Sequence, residues 1–153
     1  MNELRRNDRA IPQNEALSLL HEAEYGILST VSKNSEPYGV PLNFCFTDNS
    51  IYFHCARTGQ KIDHLEYNQK VSFCVVGKTQ PMPAKFSTKY ESVIVFGQAE
   101  EVFAVEKRNA LEKLLQKYSS DFLEQGRKYI EIGQDKTRVF KLNINRLTGK
   151  ARR

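Results

Sequence analysis

Two four-residue polar turns, Lys33-Asn34-Ser35-Glu36 and Thr47-Asp48-Asn49-Ser50, constrain this chain more than any other feature of its sequence. They separate three apolar, β-rich runs: Tyr25–Val31 (YGILSTV), Pro37–Phe46 (PYGVPLNFCF) and Ile51–Cys55. A crossover between parallel strands takes about a dozen residues. Connections this short therefore demand antiparallel neighbours, and the three runs predict a meander. Pro41 has no amide proton to give a ladder, which assigns the second run to a sheet edge or a bulge. Further strands are expected at Lys70–Val76, at Tyr90–Val102 with a bulge or bend at Gly97, and at the alternating Thr137–Ile144. The stretch GKTQPMPAKFSTK between the first two of these has no periodicity and reads as a polar excursion.

Helical spacing appears in four places. Ala16, Leu17, Leu19, Leu20 and Ala23 predict a helix over Pro12–Ala23 with Asn14 as its cap. Gly59–Tyr67 is expected to be helical and to end at Asn68. Ala104–Tyr118 carries Val105, Leu111, Leu114 and Leu115 on one face. A short helix around Asp121–Gln125 should stop at Gly126. Strands joined mostly by turns, with helices interrupting, predict a mainly β (α+β) chain: one domain, residues 1–153, built as a small antiparallel barrel with helices packed outside.

The bulk numbers narrow the function classes. Of 153 residues, 40% are apolar, which is enough to fill a core. No run reaches the roughly 18 apolar residues of a membrane span. The N-terminal MNELRRNDRAIPQNE has arginines but no apolar stretch behind them, so no secretory leader is expected and the default location is cytoplasmic. The three cysteines, Cys45, Cys55 and Cys74, are odd in number and lack Cys-x-x-Cys spacing, which suits buried free thiols rather than disulfides or zinc. The net charge of +5 is spread among acids. Only Arg5-Arg6-Asn7-Asp8-Arg9 and Lys150-Ala151-Arg152-Arg153 cluster, with no aromatic-bearing basic face, so no nucleic acid is expected as partner. Anionic small ligands account for the charge equally well.

Three stretches bear on chemistry. Thr58-Gly59-Gln60-Lys61 opens a helix: a glycine that can turn amides outward, a hydroxyl, a cation and a positive helix end would together hold a phosphate. The same residues also suit an ordinary strand-to-helix turn capped by Thr58. In the strand before it, alternation puts Tyr52 and His54 on one face and Phe53 and Cys55 on the other. The Phe53/Cys55 side is the better core, which leaves His54 to a pocket, an interface or solvent. His21 and His64 fall on helices, and no histidine pair has metal-site spacing. Gly39 and Pro41 leave main-chain groups of their strand open, where a flavin ring could find backbone partners or an edge strand could simply be irregular.

Taken in order, YGILSTV, PYGVPLNF, IYFHCARTGQK, NQKVSFCVVG, KFSTKYESVIVFGQAE and LTGKARR resemble the pyridoxamine 5′-phosphate oxidase-like flavoproteins, in particular their nitroimidazole-resistance (Nim) branch. The resemblance runs from about Arg5 to the C-terminus. It implies an FMN-binding split β-barrel that works as a homodimer, with two FMN sites at the subunit interface. Thr58, Gly59, Gln60 and Lys61 would contact the phosphate. Val40, Pro41, Leu42 and Asn43 would run along the ring, with His54, Cys55 and Ala56 on the neighbouring strand. Lys89, Tyr90 and Ser92 would approach from the partner subunit. The chain lacks the arginine- and histidine-bearing C-terminal motif of true pyridoxamine phosphate oxidases. The implied activity is therefore an FMN-dependent oxidoreductase of nitro compounds or other small electrophiles, with His54 catalytic and NADH or NADPH as possible donor. A non-catalytic flavin- or haem-binding module and pyridoxamine phosphate oxidation are the alternatives.

Overall fold

In the computed structural model, which describes residues 4–153, every strand pairing is antiparallel. The first three residues of the N-terminal stretch, and that part of the leader and domain readings, lie outside the described residues. The strands are β1 (Gly26–Val31), β2 (Pro37–Leu42), β3 (Cys45–Thr47), β4 (Ser50–Cys55), β5 (Lys70–Met82), β6 (Ser87–Val102) and β7 (Arg138–Arg152). The helices are α1 (Gln13–Glu22), α2 (Gln60–Tyr67), α3 (Ala104–Tyr118) and α4 (Leu123–Gly133). The sheet order is β2-β1-β5-β6-β7-β4-β3.

That order holds the main surprise. The run Pro37–Phe46 is not one strand but two, β2 and β3, and they stand at opposite ends of the sheet. Only Asn43 and Phe44 lie between them. Consecutive Cα atoms are about 3.8 Å apart, so the two outer edges must come together and the sheet must curl into a barrel. The edges meet without pairing, which makes the barrel split. The expected meander is corrected accordingly. The β1–β2 hairpin forms, but β4 pairs with β3 and β7, and β1 pairs with β5. The turn Thr47–Ser50 behaves as its residues require, with Asp48 and Asn49 both at positive φ (51° and 56°), the signature of a tight hairpin.

Inward-facing residues fill the barrel: Leu28, Phe44, Ile51, Phe53, Phe73, Val75, Val93, Val95 and Leu142 are fully or almost fully buried. Helix α1 adds Ala16 and Leu20 to the same core. Its N-cap is Pro12 rather than the expected Asn14. The outer wall of β3, β4 and β7 is covered by α3, whose Ala110, Leu111 and Leu114 pack on Cys45, Tyr52 and Val139. Val105, expected on that apolar face, points to solvent instead.

Three strand and helix limits differ from expectation, each for a local reason. The polar stretch after Val76 is ordered by cross-strand pairing: β5 continues to Met82 and β6 begins at Ser87, with Thr79 opposite Tyr90 and Pro81 opposite Thr88. β7 runs past Ile144 to Arg152, so most of the basic C-terminal cluster is strand. Gly126 lies inside α4 rather than ending it; a Cβ there would come within 2.1 Å of Leu115 Cδ1, so glycine lets α4 lie close on α3. The register shift between Phe96 and Gly97 is the expected bulge, where a Cβ would sit 1.9 Å from the Asn143 carbonyl oxygen.

The seam between β2 and β3 is held by the end of α3. Lys117 Nζ donates to the carbonyls of Ala23 (2.7 Å) and Phe44 (2.9 Å) and lies 4.0 Å from the Phe44 ring centroid. Tyr118 Oη accepts from the Phe44 amide (3.0 Å) and offers its one proton to the carbonyls of Glu24 (2.6 Å) and Phe44 (3.0 Å). Tyr118→Phe leaves the Phe44 amide without this acceptor, a loss of about 1–3 kcal/mol. In a chain of this size that should lower the melting temperature by roughly 2–12 °C, read by thermal unfolding followed by circular dichroism.

Candidate functional site

The stretch after β4 turns sharply into α2, and the turn depends on Gly59. Its backbone angles (φ 147°, ψ 166°) belong to a region that only glycine occupies readily. The Gly59 carbonyl takes the amides of Ile62 (3.0 Å) and Asp63 (3.1 Å), closing the first turn. The amides of Gln60 and Lys61 then stand at an open helix N-terminus, with no carbonyl a turn earlier to receive them. Gly59 and not Thr58 is the N-cap, and no side chain caps it. Arg57, Thr58, Gly59 and Gln60 are exposed and Lys61 is half-buried. Nothing lies within 4 Å of where a Gly59 Cβ would be, so the turn faces open space. This geometry favours an anion, through unpaired N–H groups at the helix start, with a hydroxyl on Thr58 and an ammonium on Lys61 to either side.

Helix α2 is pinned from three sides. Ile62 and Leu65 enter the barrel core. Buried His64 hydrogen-bonds Thr30 Oγ1 through Nδ1 (2.8 Å), and Tyr38 of β2 meets its ring edge-on at 5.5 Å. Arg138, opposite Cys55 on β7, grips Glu101 with two nitrogens (3.0 and 2.7 Å) and donates to Glu66 of α2 (3.2 Å) and to the Arg57 carbonyl (3.4 Å). These bonds fix the turn relative to the barrel wall. Arg138 is a positioning residue that no local pattern marks: only the β4–β7 register brings it to the turn.

His54 is on the outer face of β4, as alternation requires, while Phe53 and Cys55 enter the core. Cys55 can therefore offer a ligand only its main chain, and burial pushes its thiol pKa up. Cys45, buried under α3, has its thiol pushed up to about 11 by the same loss of water. The His54 pKa is held below the ordinary imidazole value, first by desolvation and then by the Lys61 ammonium, so Lys61 is electrostatically coupled to the ring. With Asn43, His54 lines a cleft of about 660 Å³ between the barrel and the α3–α4 pair, whose lining also includes Leu115, Phe122, Tyr129 and Ile130.

The other expected residues divide into two groups. Val40, Pro41 and Leu42 lie on edge strand β2, with Pro41 and Asn43 exposed. Asn43 and His54 line one cleft, and Tyr38, two residues before Val40, meets His64 of α2. Lys89, Tyr90 and Ser92 stand apart. They lie on the β5–β6 hairpin, and Ser92 is ten residues before Val102, the residue level with His54 across β7. At the usual rise per residue the three are roughly 30–45 Å from that level along the strand. One chain does not bring these three to its own Lys61. Among the described residues no three His, Cys, Asp or Glu side chains gather as metal ligands, and no helix is long and apolar enough to cross a membrane.

The sequence profile of the family described as pyridoxamine 5′-phosphate oxidase matches residues 12–151. No curated protein matches. Among solved structures, the chain is similar to a candidate 5-nitroimidazole antibiotic resistance protein of Bacteroides thetaiotaomicron (24% identity, TM-score 0.80, covering 93% of this chain and 86% of that one). It is also similar to an FAD-binding protein of Mesorhizobium loti (22%, TM-score 0.66, 95% and 98% covered). A third is an FAD- and haem-binding protein of Mycobacterium smegmatis (16%, TM-score 0.78, 92% and 71% covered). These likenesses establish the shared split-barrel fold.

Two measurements test the site's physics. Folding lowers the His54 pKa from about 6.5, so the unfolded chain takes up the proton more readily. The histidine should contribute nothing to the pH dependence above that value, and stability should fall as pH drops from it towards the folded pKa. The ring-proton titration by NMR should have its midpoint below 6.5, and Lys61→Met should move it upward. Gly59→Ala has room for its methyl group, so its cost is backbone strain of about 1–3 kcal/mol, read as a lower urea midpoint at unchanged slope.

Proposed function

The chain belongs to the pyridoxamine 5′-phosphate oxidase family, and from that premise we propose that it is an FMN-dependent oxidoreductase that reduces nitro compounds or other small electrophiles as a homodimer. The observation that carries this reading is the open Gly59 turn. It presents the Gln60 and Lys61 amides, with the exposed Thr58 and the half-buried Lys61 beside them and the Lys61 charge felt at His54. A terminal phosphate monoester suits this donor set, and FMN carries one. When bound, FMN supplies hydride transfer between a nicotinamide donor, NADH or NADPH, and the acceptor.

Each residue then has a separate task. Lys61 and the turn anchor the phosphate, while Arg138 holds the turn in place from the barrel wall. Along Val40–Asn43 of the edge, the outward Pro41 carbonyl and exposed Asn43 offer polar partners to the rim of a ring, Val40 and Leu42 flank it, and Cys55 and Ala56 offer main-chain groups from the neighbouring strand. His54, kept neutral at pH 7, donates a ring N–H to the oxygen of the acceptor as negative charge grows there. The distance of Lys89, Tyr90 and Ser92 along the strand from the level of His54 supports their reaching the second site of a dimer rather than their own.

The purified full chain should show flavin absorption in the blue. A Soret band in its place would assign the site to haem and overturn this reading. Lys61→Ala removes a charge-assisted bond of about 1.5–3 kcal/mol and should raise the FMN Kd by roughly 10–100-fold. The same substitution should leave riboflavin, which has no phosphate, bound as before. His54→Ala should keep its flavin but lose acceptor reduction by about 100-fold or more. Full turnover of that variant would remove His54 from the chemistry.

A further inference from the structure

Among the described residues, no helix covers the outer face of β1, β5 and β6. Alternation sends Leu28, Phe73, Val75, Val93 and Val95 into the barrel and leaves the residues between them outside. Helices α1 and α2 pack on the inner side with that core, and α3 packs on Cys45, Tyr52 and Val139. The outward residues form cross-strand rows, Ile27–Cys74–Ile94 and Ser29–Ser72–Phe96. None of the six is charged, in a chain of which 27% is, and Ile94 is 40% exposed. A solvated sheet face carries polar side chains outward, whereas depletion of charge marks the core of an interface. Three outward positions on each of β1, β5, β6 and β7 span about 400 Å² in plan. Side-chain relief brings that towards the roughly 800 Å² that each partner buries in a standard interface.

Arg146 stands at the β7 border of this face, opposite Phe96. Its guanidinium lies 5.3 Å from the Phe96 ring centroid, and its Nε is buried without a hydrogen-bond partner among the described residues. No ion pair among them includes Arg146. A buried charged donor left without an acceptor is costly. Glu100, further along β6 and exposed, accepts from the Asn143 side-chain amide (2.8 Å) and is likewise in no ion pair among these residues. Lys141, opposite Glu100, is held by Glu106 (3.1 Å).

The levels of these residues fix how a second copy sits. Cys55 pairs with Arg138 and Val102 with Val139, so the turn after Cys55 starts level with the end of β6. Tyr90 and Ser92 reach a partner's turn only about a twofold axis that crosses the strands. An axis along the strands would keep both hairpins at one end, away from both turns. The crossing axis falls midway between Ser92 and the end of β6, at Gly97 and Gln98. About Gln98, the level of Phe96 and Arg146 maps onto that of Glu100.

We infer that a second copy of this chain docks on the outer face of β1, β5 and β6, and that Arg146 of each copy pairs with the partner's Glu100. Charge complementarity supports a second copy over another occupant. The face supplies both the unpaired cation and the unpaired anion, and the twofold axis brings them together twice. The two pairs flank rows that have no charge, so they set the register while the apolar rows supply the buried area. The position of the axis rests on the reading that Lys89, Tyr90 and Ser92 serve the partner's flavin site; the choice of face does not.

The test is sedimentation velocity of the purified full chain over a range of concentrations, with far-UV circular dichroism to confirm that each variant is folded. The unaltered chain should be a dimer. Ile94→Lys places a charge in the middle of the face at an exposed position and should give a folded monomer. Arg146→Glu and Glu100→Arg should each raise the dimer Kd by about 100-fold or more. The double variant, with the charges exchanged, should return to within about tenfold of the unaltered chain. A monomeric unaltered chain, or a dimer indifferent to Ile94→Lys, would overturn the choice of face. Single variants that weaken the dimer without recovery in the double would overturn the pairing. A dimer that behaves as expected in a protein taking up no flavin would support the face and overturn the FMN reading. A flavin-loaded dimer indifferent to all four variants would do the reverse.

Discussion

The barrel depends on a closure that hydrogen bonds between strands do not make. Its two outer edges, β2 and β3, meet at Phe44, and the end of α3 supplies what a ladder would have supplied. Lys117 and Tyr118 satisfy both main-chain groups of Phe44 and reach the carbonyls of Ala23 and Glu24 ahead of β1. A lysine so placed loses much of its water, which lowers its pKa, and the Phe44 ring and two carbonyl contacts offset that loss. One helix end thus joins the start of the first hairpin to the segment that leads into β3.

The same economy governs the anion turn. Its working groups are unpaired, so their positions must be fixed by neighbours that are fully engaged. Arg138 serves β6, α2 and the turn at once, and His64 ties α2 to β1. The turn is therefore open toward solvent yet rigid toward the barrel, which is what preorganised binding requires.

Much of this was legible in the sequence, and the failures are physical. Short polar turns and alternation gave the antiparallel barrel, the helix Ala104–Tyr118 to the residue, the edge position of Pro41 and the outward face of His54. The split of Pro37–Phe46 escaped because alternation continues through Asn43 and Phe44, while the partner strand changes. Periodicity records which side a residue faces, not which strand lies beside it. The outer half of the β5–β6 hairpin escaped for a related reason: away from the core it has no buried face, so its residues carry no pattern. Arg138 and Lys117 were invisible because each acts across more than 70 residues of chain, through contacts that register alone creates. The flavin reading came from ordered resemblance rather than from any single motif.

The prolines of β2 have a further effect. Pro37 and Pro41 cannot donate across to β1, so they share with Gly39 the parity whose main-chain groups point away from it. Of those three outward positions only Gly39 has a proton to give. An edge so poor in donors cannot zip to β3 across the seam, nor can it template a foreign strand. The same two residues that keep the barrel from sealing therefore also protect it from edge-to-edge polymerisation, leaving the exposed rim free for a ligand that brings its own donors.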